Sequence, residues 1–306
     1  MSDAMRVILD CDTKNEIDDQ LAIAYALGSP ELDVLGVVSV QNTTASGVAS
    51  VDVYTEEARL VADLCGRPDL PCLPGARAPM ETPSTPVGSA GLDFIVEHAQ
   101  IAPLTLLATG PITDVASLVL QRPDLVERVH VVWAGAFPDE ATWNRFRLGE
   151  LNARADIAAW RALYSSDIRL TLLPGWPAIA RVAVPWRDYS AQLRDLGGEL
   201  SEFLATIIEE YSASRSSWWL GSEEAQRHKI LWDVVNVAIL RNPAWVTLEH
   251  RDLPTLDAAG APDYSRPARS ADVCVDVDER AIIDDLWTVL ESFATGRSPV
   301  VGPANA

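Results

Sequence analysis

Five acidic residues fall within ten positions near the start of the chain, in the run Asp10-Cys11-Asp12-Thr13-Lys14-Asn15-Glu16-Ile17-Asp18-Asp19. The run follows a short apolar segment, Val7–Leu9, that we predict to be a buried strand, and it leads into a segment of helical periodicity, Asp18–Leu27. Ionised carboxylates held this close repel one another, and a hard cation that takes oxygen ligands relieves that repulsion. The run therefore predicts a metal site at the end of the first strand.

Two of these acids also have a simpler explanation. Asp18 and Asp19 stand where the predicted helix begins, with Asp18 as its N-cap, and negative charge stabilises a helix N-terminus. Capping accounts for one or two carboxylates and leaves the rest of the cluster unexplained. The metal site is therefore the favoured interpretation.

Apolar strand-like segments alternate with helical segments through the first half of the chain. This alternation predicts an α/β fold with a mostly parallel central sheet, open and doubly wound, flanked by helices on both faces. Ligands bind such sheets at the carboxyl ends of the strands, which is where the acidic run lies. The further predicted strands are Val34–Val40, Leu104–Ala108, His130–Trp133 and Ile168–Leu173, and the helices are Ser46–Cys65, Ile112–Leu120 and Ala155–Tyr164.

The second half of the chain is more helical. Two proline-rich segments, Arg67–Val87 and Leu253–Arg269, predict long surface loops. Neither has the character of a domain boundary, so we expect a single domain over residues 1–306. The predicted elements of this half are helices at Glu199–Ser214, Trp232–Leu240 and Ala281–Phe293 and a strand at Val273–Val277.

The excess of acidic over basic residues indicates which kinds of molecule the chain can bind. The 306 residues include 24 basic and 44 acidic ones, for a net charge of −20. A field of this sign repels phosphate backbones and anionic lipid, so we expect no nucleic-acid or membrane partner. It suits a neutral small molecule and a bound divalent cation. The polar start MSDAMR contains neither a signal peptide nor a long apolar run, which favours a cytoplasmic location.

Four blocks of the sequence resemble the inosine-uridine nucleoside hydrolase superfamily. The first pairs two aspartates in an Asp-x-Asp turn and follows them with Asp-Asp, although the usual three-residue gap is longer by two residues here. Asn42, after the second strand, matches a pocket asparagine. The blocks occur in the family's order along most of the chain, and they are Asp10–Asp19, Leu107–Asp114, Asn144–Asp156 and Trp232–Asp233.

The resemblance implies a reaction and a metal. The reaction is calcium-dependent hydrolysis of the N-glycosidic bond of a ribonucleoside or a related ribosyl compound, which gives ribose and a free base. Calcium (Ca²⁺) would be held by Asp12, Asp19, Asp233 and the carbonyl of Thr109, in keeping with its preference for oxygen ligands. Asp12 would also take the proton of the attacking water. The resemblance further implies a homodimer or homotetramer.

The resemblance also implies residues that bind the substrate. They would contact the hydroxyl groups of the sugar, and for three of them, Asn144, Glu150 and Asn152, a solvated loop or a helix cap is the simpler alternative. Asp10 is expected to be structural and to hold the loop through backbone N–H groups. The implied ribose-binding residues are Asp18, Asn42, Asn144, Glu150 and Asn152.

Two positions depart from the family pattern. Trp232 replaces the histidine that many members place just before the last metal aspartate, and we expect it to contact the substrate by stacking. A glycine pair after the fifth strand is altered to Trp133-Ala134-Gly135-Ala136. These changes leave the base specificity and the proton donor for the departing base open. We interpret the nearby His228 as a surface helix-cap residue.

A segment that contains Tyr211, Arg215, Trp218 and Trp219 falls where the family places a mobile segment over the base. Stacking of these aromatic rings on a nucleobase and packing in the core or an interface are equally compatible with the sequence.

Two other functions compete with hydrolysis. A calcium-dependent nucleoside or sugar binder without turnover would also keep the acidic run and lose the histidine. A phosphatase of the haloacid dehalogenase type uses Asp-x-Asp-x-Thr, with the first aspartate as nucleophile, and Asp10-Cys11-Asp12-Thr13 resembles that motif. The threonine stands one position early, however, and the negative charge of the chain disfavours phosphorylated substrates.

Overall fold

The computed structural model describes residues 4–43, 50–214 and 227–296. The strands are β1 (Met5–Cys11), β2 (Leu32–Ser39), β3 (Cys72–Pro74), β4 (Leu104–Ala108), β5 (Val129–Ala134), β6 (Arg169–Leu173), β7 (Ala183–Pro185), β8 (His228–Ile230), β9 (Val246–Leu256) and β10 (Pro262–Val277). The helices are α1 (Asp18–Leu27), α2 (Ser50–Leu64), α3 (Ala90–Ile101), α4 (Thr113–Gln121), α5 (Glu140–Phe146), α6 (Asn152–Ala155), α7 (Ile157–Tyr164), α8 (Trp186–Leu196), α9 (Glu199–Ser214), α10 (Val234–Arg241) and α11 (Glu279–Thr295).

Within the described ranges, eight strands form one sheet in the order β3-β2-β1-β4-β5-β6-β10-β9. Neighbouring strands run parallel except for β10 and β9, which are antiparallel. One face packs against α1, α2 and α8 to α11, and the other face packs against α3, α4 and α7. β4 is buried along its whole length, as expected for a parallel strand with helices on both faces. The predicted α/β fold is confirmed.

Strand order brings the acidic run next to the Thr109 turn. β1 lies between β2 and β4, with Asp10 in register with Ala108. The two chains leave the sheet side by side, and Gly110 makes their close approach possible. A Cβ at Gly110 would lie 2.6 Å from Val40 Cγ1 and 3.1 Å from the backbone nitrogen of Asp12. A larger residue there would push the aspartate loop away from β4.

The prediction of a surface loop at Leu253–Arg269 is wrong. β9 and β10 form a long antiparallel hairpin through this segment. Its prolines suggested a loop, but β9 is the edge strand of the sheet, and the pairing near Pro267 contains register shifts. Edges and bulges are the places where a strand tolerates proline. The other proline-rich segment, Arg67–Val87, is mostly irregular and contains only the short β3.

The capping interpretation of Asp18 is also wrong. Ile17 occupies the N-cap position of α1 without a side-chain capping bond, and Asp18 is the first helical residue. The carboxylate of Asp18 therefore does not cap α1, so capping does not explain why an acid stands at this position. Helices α3, α5, α6 and α8 were not predicted from the sequence. In the described part of the chain, no helix combines the length and apolarity needed to cross a bilayer.

A buried ion-pair network fixes α10 against α1 and α11. Arg241 donates from Nε and Nη2 to the two carboxylate oxygens of Asp285, at 2.6 and 3.0 Å, and from Nη1 to Glu31 at 2.8 Å. The hydroxyl of Tyr25 donates to the same Asp285. Since α10 begins after Asp233 and α1 begins with Asp18, the network holds the helices that carry these two aspartates.

We expect Arg241→Met to lower the free energy of unfolding by about 3 kcal/mol, because it leaves the carboxylate of Asp285 buried without its cation. Urea denaturation measures the loss. Arg280→Met is the control, since Arg280 forms an exposed pair with Asp284 at 3.6 Å and such pairs contribute little. Similar losses in the two variants would contradict the assigned importance of the network.

Candidate active site

A cavity of about 370 Å³ opens at the carboxyl edge of the sheet, beside the ends of β1, β4 and β5. Its lining combines a group of acids with a group of apolar side chains. The acids are Asp12, Glu16, Asp18, Asp19, Glu150 and Asp233, and the large apolar residues are Leu148, Leu151, Leu173, Trp176, Ile179 and Trp232. The remaining lining residues are Asn15, Thr109, Ala134, Gly135, Gly149, Asn152 and Gly175.

The four predicted metal-binding residues all line this cavity. Asp12 follows β1, Asp19 lies in the first turn of α1, Thr109 follows β4 and Asp233 occupies the N-cap position of α10. None is more than 6% exposed. The hydroxyl of Thr109 donates to Asp19 Oδ1 at 2.7 Å. The second oxygen, Asp19 Oδ2, is buried and has no hydrogen-bond partner among the described residues.

The buried carboxylates repel one another. Burial raises the pKa of Asp12 to about 7, although hydrogen bonds with Asn42 and Asp19 partly oppose the shift. Burial also raises the pKa of Asp19 and of Asp233 well above the usual range, and neighbouring aspartates raise both further. The described residues include no group of three or more acidic, histidine or cysteine side chains already arranged to hold a metal. The acids therefore share one cavity and carry charge that no described lining cation balances.

A buried lysine approaches one side of the acidic group. Lys229 Nζ lies 2.5 Å from Glu16 Oε2 and 3.1 Å from Asp18 Oδ1, and its side chain is 5% exposed. It also lies 5.1 Å from the centre of the Tyr211 ring. Burial lowers the pKa of Lys229, but the charges of Asp18 and Glu16 outweigh that effect and raise it, so the lysine stays charged. The backbone N–H of Trp232 donates to Asp18 Oδ2 at 2.9 Å, which completes the support of Asp18.

Two asparagines contact two of the predicted metal-binding residues, Asp12 and Thr109. The amide of Asn42 donates to Asp12 Oδ2, and Asn42 is fully buried outside the cavity lining. Asn152, which lines the cavity, donates through Nδ2 to the carbonyl oxygens of Thr109 and Ala134, both at 2.8 Å. Asn42 and Asn152 therefore lie beside the predicted metal-binding residues.

Glu150 lines the cavity, and its carboxylate also accepts from the first turn of α6. Its oxygens accept from the backbone N–H of Ala136 at 3.2 Å and of Ala153 at 2.9 and 3.1 Å. Burial raises its pKa to about 7, with these bonds opposing the shift. Ala136 has φ of +57°, in the region that favours glycine, at one of the altered positions of the glycine pair.

The structure does not bring Asn144 to the cavity. Asn144 is exposed on α5 and is absent from the described lining, which agrees with the solvated alternative, and its ribose role stays a prediction. His228 lies on β8 opposite Pro185, so the helix-cap interpretation is wrong. Arg215, Trp218 and Trp219 lie outside the described residues.

Asp10 supports the loop in a different way from the one expected. It is fully buried and outside the cavity lining, and its carboxylate has no hydrogen-bond partner in the described ranges. Its backbone carbonyl accepts from the N–H of Thr109 at 2.9 Å, which ties β1 to the turn after β4. A phosphatase nucleophile must face the substrate, so this burial argues against the phosphatase alternative.

The sequence-based interpretation missed three cavity features. Trp176 lies just after β6, and its position beyond a parallel strand was the signal that could have found it. Glu16 was counted only as one acid in the run. Lys229 had no local signal, because its partners lie 211 and 213 residues away along the chain.

The chain matches one known family over nearly its whole length. The family profile described as inosine-uridine preferring nucleoside hydrolase matches residues 7–284. The pyrimidine-specific ribonucleoside hydrolase RihA of Salmonella paratyphi B is 25% identical over 326 residues, covering 95% of this chain and 100% of RihA. An uncharacterized protein of Schizosaccharomyces pombe is 28% identical over 197 residues, which are 56% of this chain and 61% of that protein.

A solved structure shows the same fold. The purine-preferring ribonucleoside hydrolase from Gardnerella vaginalis superimposes with a TM-score of 0.75 at 20% identity. The superposition covers 95% of this chain and 100% of that one. The shared fold therefore extends over nearly the whole of both chains.

We expect Lys229 and the two carboxylates that it contacts, Glu16 and Asp18, to contribute to stability together and not independently. Lys229→Met removes the buried cation that contacts Asp18 and Glu16, so we expect a loss of about 3 kcal/mol in the free energy of unfolding. Adding Glu16→Gln to Lys229→Met should recover part of that loss, because one carboxylate is then removed. Urea denaturation of the single and double variants measures both effects. Strictly additive losses would mean that the lysine and the carboxylate do not interact.

Proposed function

Because the chain belongs to the inosine-uridine preferring nucleoside hydrolase family, we propose that it hydrolyses the N-glycosidic bond of a ribonucleoside or a related ribosyl compound with calcium, releasing ribose and a free base. Family membership makes the chain an enzyme that hydrolyses a glycosidic bond, and the family is generally metal-dependent. The observation that carries the proposal is the meeting of Asp12, Asp19, Thr109 and Asp233 in one cavity.

The residues at this end of the cavity fit a hard cation. Their donor atoms are oxygens, Asp19 Oδ2 is buried without a described partner, and the acids raise one another's pKa. No described lining residue is a histidine or cysteine, which disfavours zinc. Calcium prefers six to eight oxygen ligands, so water and sugar hydroxyls would complete its shell. When bound, it would lower the pKa of a water ligand and orient the ribose.

Asp12 is the proposed catalytic base. Asn42 and Asn15 both donate to Asp12 Oδ2, the latter at 3.1 Å, so this carboxylate is fixed in place at the lining of the cavity, where the attacking water would lie. Cleavage of the glycosidic bond develops positive charge on the sugar ring, which a neighbouring carboxylate stabilises. Asp12 would take the proton of the water as its oxygen bonds to the anomeric carbon.

Asp18, Asn152 and Glu150 are the proposed ribose-binding residues, with Asn42 holding Asp12 behind them. Lys229 contacts Asp18 Oδ1 at 3.1 Å and opposes the rise in the pKa of Asp18 that burial causes, so it orients this carboxylate to accept a hydrogen bond from a sugar hydroxyl. Asn152 lines the cavity, and its Nδ2 donates to two carbonyl groups, so its amide oxygen would be the atom that accepts from the sugar. The exposed Asn144 is not part of the proposal.

One rival remains, a binder without turnover, and the replacement of the family histidine by Trp232 favours it. Base specificity is a separate question, because the relatives are named for pyrimidine in one case and for purine in another. The cytoplasmic location and the homodimer or homotetramer stay predictions.

We expect release of free base from at least one riboside in a screen of purine and pyrimidine nucleosides and activated ribosides, with calcium present. Chelation should abolish the release, and added calcium should restore it. Asp12→Ala should lower kcat by about 100-fold or more, the usual contribution of a positioned base. High-performance chromatography of the released base measures all three.

Asp10→Ala is the matched control, since it removes a neighbouring carboxylate that does not line the cavity. Its folded fraction should turn over within a few-fold of the parent. Binding of nucleosides without any release would establish the rival function. Full turnover by a folded Asp12→Ala variant would remove Asp12 from the role of base.

A further inference from the structure

Two tryptophan rings form one wall of the cavity. Trp176 and Trp232 are half-buried, both line the cavity, and their ring centres lie 5.0 Å apart at an interplanar angle of 60°. Phe146 stacks on the far side of Trp176, with ring centres 4.9 Å apart and an interplanar angle of 3°. The wall is thus an aromatic surface that is supported from behind and open toward the acids.

Two glycines make room for these rings. A Cβ at Gly149 would lie 3.1 Å from Trp176 Cη2, and a Cβ at Gly175 would lie 3.2 Å from Trp232 Cζ3. Neither glycine has a positive φ, so the close approach of a ring is the feature that requires them. Phe146, Gly149 and Gly175 therefore pack against the Trp176 and Trp232 rings and hold them at the cavity.

Among the described lining residues of the cavity, none is a histidine, lysine, arginine, tyrosine or cysteine that could protonate a departing base. Every titratable side chain among its described lining residues is an aspartate or a glutamate. The oxygens of Glu150 are engaged as acceptors of backbone N–H groups, and Asp18 is paired with Lys229. The indole N–H of Trp232 does not act as an acid. We therefore expect slow cleavage of a neutral base, which must gain a proton in order to leave.

We propose that the preferred substrates are ribosides whose base is an aromatic cation, of the N-ribosylpyridinium or N-alkylated purine type. This inference rests on the proposed function and names its substrate class. Aromatic faces and carboxylates both attract an aromatic cation, and tryptophan is the strongest cation–π partner. The wall of Trp176 and Trp232 and the acidic lining thus favour the same kind of base.

A cationic base also removes the need for an acid. The water oxygen bonds to the anomeric carbon, and the electron pair of the C–N bond returns to the ring nitrogen. The base then leaves as a neutral molecule without gaining a proton. The proton of the water passes to Asp12 and from there to solvent, so each turnover releases one proton. Hydrolysis of a neutral nucleoside such as inosine releases none, because its base takes that proton.

The test compares kcat/KM of the calcium-loaded full chain for 1-ribosyl-3-carbamoylpyridinium, 4-nitrophenyl riboside, inosine and uridine. The pyridinium riboside should exceed inosine and uridine by about 100-fold or more, the usual contribution of a missing general acid. The neutral nitrophenyl riboside also leaves without an acid, so it controls for leaving-group ability. Release of one proton per pyridinium riboside should appear in a weakly buffered assay.

Variants of Trp176 and Trp232 distinguish binding of the cationic base from the intrinsic reactivity of its glycosidic bond. Trp232→Leu and Trp176→Leu should raise KM for the pyridinium riboside by about tenfold and change KM for the nitrophenyl riboside less, because only the first loses a cation–π contact. Trp287→Leu is the matched control, since Trp287 packs on Tyr189 away from this cavity. Trp232→His should speed cleavage of inosine and slow cleavage of the pyridinium riboside.

A binding measurement stands beside the variants in case they fold poorly. On the unaltered chain, 1-methyl-3-carbamoylpyridinium should inhibit cleavage of the nitrophenyl riboside at lower concentration than the neutral 3-carbamoylpyridine. Equal inhibition by the two, or cleavage of inosine or uridine as fast as the pyridinium riboside, would overturn the inference and leave the proposed function intact. Failure to cleave any riboside would instead overturn the proposed function.

Discussion

The mutual repulsion of buried carboxylates is the constraint on which this structure depends. Asp12, Asp18, Asp19 and Asp233 lie in one cavity, and each is almost completely removed from solvent. Charges in such surroundings must be balanced or protonated. Lys229 balances only one side of the group, near Asp18 and Glu16. The other side, at Asp12, Asp19 and Asp233, has no described cation, and this imbalance is the physical reason for proposing calcium there.

The fold brings these acids together because separate elements end at the same edge of the sheet. β1 delivers Asp12, β4 delivers Thr109, and the N-termini of α1 and α10 deliver Asp19 and Asp233. Behind the site, Arg241 and Asp285 hold α10 against α1 and α11. Helix N-termini favour negative charge, so the two helices partly offset the cost of placing the aspartates there.

Much of this arrangement could be predicted from the sequence. The acidic run and the parallel-strand pattern predicted the edge of the sheet, and the order of the family blocks added Thr109 and Asp233. The hairpin of β9 and β10 was missed because one of its prolines, Pro254, stands on the edge strand β9, and the other two, Pro262 and Pro267, stand in the part of β10 that does not pair with β6. The partners of Lys229 were missed because an ion pair between residues 211 apart has no local signature. The exposure of Asn144 could not be predicted, since spacing alone does not show which face of α5 turns to solvent.

Calorimetric titration of the metal-free chain with calcium tests the central claim most directly. The account predicts one calcium ion bound per chain in the unaltered protein. It predicts a large loss of affinity in Asp19→Asn, which removes charge from the unbalanced side, and a small change in Glu31→Gln, whose carboxylate pairs with Arg241 away from the cavity. Absence of calcium binding, or binding that Asp19→Asn leaves unchanged, would contradict the claim that the acidic group exists to hold the ion.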